Sequence, residues 1–471
     1  MALLAAATLV LVPAIALRLG CVGKTCATAG GHPAAVPFCP LPSALKEQIE
    51  AGYRSGRSPD VLGVTGPVPV LGGTSGSSPT GVVTAWPSMR VASGAAVPIV
   101  FGGPSFPDRG SLPSGTGLDA IAPTLAVDLR FDRPHPEIRA GTAIGDALTP
   151  SVPKLILEVA WKGVGSSDLR RAPQDWPHLR SLMGHGAGTL DGTTGSVPLD
   201  PAASLTTIGT GGLPSQHGIT GSLVRNQDDQ VVPAWSPTAP ESVIATLPDD
   251  YDQLMGERPL VGLVATDPSD RGIVGDGWYV THDHDPVRFA RGSAAQLHAF
   301  RGLLAMGSGR DDVPDILAVV MQGPLRDIDR ELGSVVALAD RASHGSLLVV
   351  AAGTGQTARP AASSAAVSGA ALAHEVDART GLSEPIVQAA VPGGLFLDEA
   401  ALAREGVTGQ VAEQALESVP SPAGGPLVPQ AFQGFAVSFG GRSSSSSRRS
   451  RGSRSSCGSS IPSASHGSRQ R

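Results

Sequence analysis

His282 and His284 stand two residues apart in "THDHDP" (281–286), with Asp283 and Asp285 interleaved. In a strand that spacing turns both imidazoles to one face, with carboxylates close by, an arrangement suited to zinc or another divalent metal. No third, distant ligand is evident, so a solvated polar loop is the competing reading. A second reactive-looking stretch, "SLTTIGTGGLPSQHGITG" (204–221), packs five Gly, four Thr and His217 into eighteen positions. Thr206 and Thr207 could serve as nucleophiles only beside a base. None is identifiable, and helix N-capping is the plainer role. "GTGG" could cradle an anion through its N–H groups, yet it lacks the G-K-[ST] ending of a nucleotide loop and reads as a tight turn. Lys162 directly follows the apolar run "KLILEVAW". It is either a pocket cation for an anionic ligand or a side chain turned outward at a strand end. No G-x-S-x-G elbow occurs, which weakens an ordinary α/β-hydrolase reading.

Positioning such residues requires a frame, and the apolar runs supply one. "DVLGVTG" (60–66), "VPIVFGG" (97–103), "KLILEVAW" (154–161), "RPLVGLVAT" (258–266), "DILAVVM" (315–321) and "SLLVVAA" (346–352) read as strands. Most lack polar alternation, the pattern of strands covered on both faces. Helical patterns lie between them in "LDAIAPTLAVDLRF", "DWPHLRSLMGHG", "SAAQLHAFRGLLAM" and "IDRELGSVVALADRA". Strands alternating with helices predict an α/β fold with a mainly parallel central sheet and helices on both faces. Three more helices, near 370–380, 397–405 and 409–418, are expected to cap one edge.

The chain has 471 residues, enough to bury a full core, and 41% hydrophobic with 16% charged residues is ordinary for a globular protein. Its 60 Gly and 41 Pro predict many loops, and 4% aromatic residues leave few stacking platforms for bases or sugars. Ala2 to Leu17 is uncharged and precedes Arg18, close to a secretory h-region. Export follows as the expectation, with an uncleaved membrane anchor or a buried helix as alternatives; any membrane contact is expected through this segment alone. Cys21, Cys26 and Cys39 near the start fit an oxidising compartment and one disulfide, and Cys457 stands apart. Absence of a C-x-x-C pair removes support for a zinc ribbon. Residues 21–58 read as a connector with one short helix, 59–440 as the α/β domain, and 441–471 as a disordered Ser/Arg-rich tail. Without the tail's seven arginines, 28 basic residues face 41 acidic ones, a net charge of −13. A body of that charge is a poor nucleic-acid binder.

The segment "TTIGTGGLPSQHGI" resembles the T-x-x-x-TG-x-x-P-x-x-HG-I stretch of type I phosphodiesterases and nucleotide pyrophosphatases, in the alkaline phosphatase superfamily. Thr210, Gly211, Pro214, His217, Gly218 and Ile219 fall on the pattern. "DILAVVM…IDRELGSVVALADRASHGSLLVVAAGTG" is similar to the family's strand, helix and strand leading to its T-x-D-H-G motif. "VPIVFGGPSFP…GLDAIAPTLAVDLRF" is similar to the family's closing segment, yet here it precedes the opening strand "KLILEVAW", an order that implies circular permutation. The likeness extends roughly over residues 60–440.

The resemblance implies two divalent ions, usually zinc, with a hydroxyl nucleophile at a helix N-terminus. In each family slot this chain has another residue. Lys162 replaces the first-strand aspartate, and a fixed cation repels a metal. "LDPAA" puts Asp200, Pro201 and Ala202 where the hydroxyl belongs, and "AAGTG" leaves Gly353 and Thr354 in the D-H-G slot. "QGPLRD" replaces the D-x-x-G-H pair, and "GGTSGSSPTG" lacks the late histidine. The implied role of His217 is to support its loop. These substitutions predict an exported, catalytically degenerate module of the cell envelope, with no cofactor, recognising an anionic small molecule or an envelope component near Lys162 and 204–221. The alternative is an active phosphoric ester hydrolase with a rebuilt, metal-dependent site using His282, His284 or Asp200.

Overall fold

The computed structural model describes residues 41–72, 83–88, 95–103, 106, 110–144, 152–279, 285–356, 366–434 and 436–437. In chain order the strands of its two main sheets are β1 Val61–Val64, β2 Ala96–Gly102, β3 Gly110–Ser111, β4 Leu155–Trp161, β5 Ala187–Thr193, β6 Val261–Ala265, β7 Val287–Phe289, β8 Asp315–Met321, β9 Leu347–Gly353, β10 Val387–Val391, β11 Gly394–Leu397 and β12 Gln430–Gln433. The principal helices are α1 Ser43–Gly52, α2 Ile121–Asp128, α3 Pro177–Gly184, α4 Pro201–Thr210, α5 Leu247–Met255, α6 Ser293–Ala305, α7 Leu325–Ala342, α8 Gly369–Thr380, α9 Glu399–Glu405 and α10 Gln410–Ser418.

Eight strands form the large sheet in the order β7-β6-β8-β4-β9-β2-β5-β3. All pairs are parallel except those made by β2, which runs against both β9 and β5. Every residue of β4, β8 and β9 is buried, because helices cover both faces. On one face, Leu125 of α2, Leu205 and Ile208 of α4 and Leu247 of α5 pack over Ile156 and Ile316. On the other, Leu179 of α3, Phe300 of α6 and Leu332 of α7 pack over Leu157 and Leu317. Helix α7 achieves this with buried Ile328, Leu332, Val335 and Ala339, spaced four, three and four residues apart. The expected α/β fold, with a mainly parallel sheet between two helical layers, is what the chain adopts.

Two expectations are corrected. "DVLGVTG" does not enter the large sheet: β1 lies in a second, antiparallel sheet of order β10-β11-β1-β12. Helices α8, α9 and α10 do not cap an edge of the large sheet. Their Leu372, Leu402 and Leu416 instead share a core with Val61 and Leu395 of the small one. Burial alone misled here, since a short strand enclosed in an antiparallel sheet is as continuously apolar as a parallel one. The N-terminal segment, the four cysteines and the Ser/Arg tail lie outside the described residues. Among the described residues no helix is long and apolar enough to cross a membrane.

Candidate functional site

In an open α/β sheet, side chains converge where the parallel strands end. Here the C-terminal ends of β4, β6 and β9 meet helix α4. Lys162, the first residue beyond β4, anchors its N–H on Met321 O at 2.9 Å and turns inward. Its side chain is fully buried. The ammonium donates to Thr266 Oγ1 at 2.9 Å, contacts Asp270 Oδ1 at 2.5 Å, and pairs with Asp267 Oδ2. Both aspartates belong to the loop after β6. Asp267 caps the 3-10 turn Pro268–Ile273 through Ser269 N at 3.0 Å. Asp270 Oδ2 accepts Thr266 N and Oγ1 at 2.6 and 2.7 Å. Burial pushes the Asp270 carboxyl above its ordinary range, against the attraction of the neighbouring ammonium. Lys162 therefore neither turns outward nor presents a free cation to an anionic ligand, as the two sequence readings had it; it is closed into a buried ionic cluster.

Helix α4 begins at Pro201, whose fixed φ suits the first helical position. Asp200 is the cap: Oδ1 accepts Ala202 N at 2.9 Å, and Oδ2 accepts Ser222 Oγ. Burial raises its carboxyl pKa. The expected capping by Thr206 and Thr207 is thus corrected, since both lie inside the helix. Thr206 Oγ1 donates to Ala202 O at 2.8 Å, and Thr210 Oγ1 to Thr206 O at 2.6 Å, so these hydroxyl protons are spent on the preceding turn. Thr206 also stands against the Pro268–Ile273 turn so closely that a Cβ on Gly272 would lie 2.2 Å from its Oγ1. "GTGG" ends the helix, with Gly211 left-handed at φ 71°.

His217 is completely buried in the helical turn Pro214–His217. Ile219 N donates to its Nδ1 at 3.1 Å, which leaves Nε2 as the protonated nitrogen donating to Thr207 Oγ1, also at 3.1 Å. Burial, with Arg57 and Arg54 nearby, lowers its pKa to about 3. The imidazole is a neutral strut between α4 and the following loop.

Gly353 and Thr354 close the other side. A Cβ on Gly353 would lie 2.3 Å from Val164 O, so no larger side chain fits without a backbone shift. Thr354 Oγ1 accepts Gly163 N at 2.9 Å, and Thr354 O accepts Ser204 Oγ at 3.1 Å, tying β4, β9 and α4 together. These residues do not fit the two-metal centre that the resemblance implies. Of the positions that the resemblance assigns to ligands, one holds an ammonium, another has no room for a side chain, and a third is a hydroxyl committed to the backbone. His282 and His284 lie outside the described residues.

Beyond the Asp200 cap a cleft opens toward the small sheet, with a volume of about 50 Å³, bounded by Tyr53, Pro198, Thr220, Ser222, Pro392 and Phe432. That space holds roughly four waters. Sequence reasoning missed two features. Asp267 and Asp270 show only a capping pattern in "TDPSD", with no sign that Lys162 reaches them. Glu158 is a single acid inside the apolar run of β4; burial raises its pKa to about 8, and its Oε2 has no hydrogen-bond partner among the described residues.

Comparison with known proteins bears on 159–265, which match the model of the family described as type I phosphodiesterase / nucleotide pyrophosphatase. No curated protein matches. Two solved structures of alkaline phosphatase PafA, a mutant and the wild type, are similar at 13% and 14% identity, each with a TM-score of 0.39. They cover 60% of this chain and 85% and 84% of their own. The family match supports a place for this chain in the alkaline phosphatase superfamily, its residues 159–265 being similar to type I phosphodiesterases / nucleotide pyrophosphatases.

Proposed function

We propose that the chain is a non-catalytic module on an alkaline-phosphatase-type scaffold, serving as a binding or structural component of the cell envelope. The observation that carries this reading is Lys162, whose ammonium fills the space between Asp267 and Asp270 at the end of the central strand. A divalent cation placed there would meet a fixed positive charge at contact distance. Export rests on the apolar segment 2–17. Circular permutation is part of the same proposal: β2 precedes β4 in the chain yet pairs with β9, register Phe101 to Val350. The cleft beside Asp200 is the natural seat for a ligand, and an acid on its wall favours an uncharged molecule over the anionic one expected from Lys162.

Full-length protein tests this directly. Bound zinc and manganese are measured, and hydrolysis of bis-p-nitrophenyl phosphate and of a nucleotide pyrophosphate is assayed. Neither stoichiometric metal nor turnover is expected. Turnover that disappears in His282→Ala and His284→Ala would instead establish the hydrolase with a rebuilt site.

A further inference from the structure

A second cleft has two of the chain's five tryptophans in its walls. Trp235 and Trp278 line it together with Glu241, Asp249, Asp276 and Ser236, around a volume of about 70 Å³. Each indole is held by its N–H. Trp235 Nε1 donates to buried Thr206 Oγ1 at 3.3 Å, and Trp278 Nε1 to Ser242 O at 3.0 Å. The main chain fixes them too. Trp235 sits at φ 61°, a conformation rare for a bulky residue and maintained only where the surroundings impose it. Trp278 N donates to Asp249 Oδ1 at 3.3 Å, while Asp249 Oδ2 closes the capping box of α5 with Thr246. Trp278 remains 44% exposed despite these anchors, so its ring is presented to solvent.

The charge on the walls selects the occupant. Glu241, Asp249 and Asp276 line the cleft; Asp249 accepts from Thr246 and from Trp278 N, so the exposed Glu241 dominates the charge offered to an occupant. Among nearby cations, Arg271 is paired with Asp276, and Arg57 donates to the main-chain oxygen of Glu241. Ser236 Oγ is buried beneath the wall, out of reach of an occupant. Ser242 Oγ, the other hydroxyl on the walls, is used by Ile244 O at 2.6 Å. Aromatic faces attract cations, and an exposed carboxylate adds to that attraction. We infer that this cleft binds a primary alkylammonium group, its chain laid along the indoles and its N–H groups directed to the Glu241 carboxylate. The volume suits a group of about five heavy atoms. Nothing in this inference depends on the non-catalytic reading of the Lys162 region.

The probe is n-butylammonium, titrated into full-length protein by calorimetry and by tryptophan fluorescence, with n-butanol as the neutral analogue and tetramethylammonium as a cation without N–H donors. Saturable binding of butylammonium is expected, with butanol weaker by about 10-fold or more, tetramethylammonium intermediate, and affinity falling as salt is raised. Trp278→Ala should reduce affinity about 10-fold while Trp278→Phe retains part of it. Unchanged thermal melting checks that both variants fold. Glu241→Gln, at an exposed position, should weaken binding and flatten its salt dependence. Equal binding of butanol, failure to saturate at millimolar amine, or full affinity in Trp278→Ala would each overturn the inference.

Discussion

Replacing Glu158 by Gln should remove a pH dependence that the wild-type fold carries in its central strand. Glu158 is fully buried in β4, beside Val350 of β9 and Ala318 of β8, and its pKa stands at about 8 against an ordinary 4.5. Desolvation is the main cause, and Arg133 offsets part of it. Below pH 4.5 the carboxyl is protonated in both folded and unfolded chains, and titration costs nothing. As pH rises, the unfolded chain ionises first while the folded one holds its proton, so stability falls through the interval and levels off above about 8. The whole displacement corresponds to about 5 kcal/mol, most of which falls between roughly pH 5 and 8. Urea unfolding followed by circular dichroism at several pH values measures it. Other groups titrate equally in both proteins, so the difference between wild type and Glu158→Gln isolates this one. The variant should gain on the wild type by about 3–4 kcal/mol over that span, even if its buried amide costs a constant of about 1–3 kcal/mol. Parallel stability curves would refute the reasoning.

Lys162→Met leaves Asp267 and Asp270 facing each other without a counter-charge and should destabilise by about 3–5 kcal/mol in urea titration; adding Asp267→Asn and Asp270→Asn should recover much of that loss. His217 is held neutral down to about pH 3, whereas an unfolded histidine protonates near its ordinary 6.5. Wild-type stability should therefore fall with acidification between those values, and His217→Gln should show a shallower fall over the same range. Gly353→Asp, made to restore a carboxylate at the end of β9, should lower the melting temperature and yield no bound zinc, because its Cβ would be driven into Val164 O.

The fold was readable because its strongest signal is chemical redundancy: "LILEVAW", "DILAVVM" and "LLVVAAG" are apolar at nearly every position, and only a strand covered on both faces needs that. β5, "AGTLDGT", escaped notice because its Gly and Asp residues mimic a loop. The small sheet escaped for a related reason, since β10 and β11 are joined by a tight turn at Gly393 whose flanks are short and only partly apolar. Among site residues, the presence of a cation at the end of β4 and of a glycine at the end of β9 was visible from Lys162 and Gly353 alone. Which groups surround Lys162 was not, because Asp267 lies 105 positions away along the chain and only the packing of β6 against β8 brings it near. The part played by Asp200 was misjudged although its cue stood in the sequence, the Pro that follows it and starts the helix there.

The antiparallel strand of the large sheet, β2, imposes an order on assembly. β2 emerges early from the ribosome, yet its partners are β5, some ninety positions later, and β9, with Phe101 meeting Val350 about 250 residues downstream. Until that last seam closes, "AVPIVFG" offers an unpaired edge rich in β-branched residues, the kind of surface that recruits neighbouring chains. Such distant closure makes for slow acquisition of the native state, and truncations that stop short of residue 347 should accumulate as aggregates rather than as soluble folded fragments.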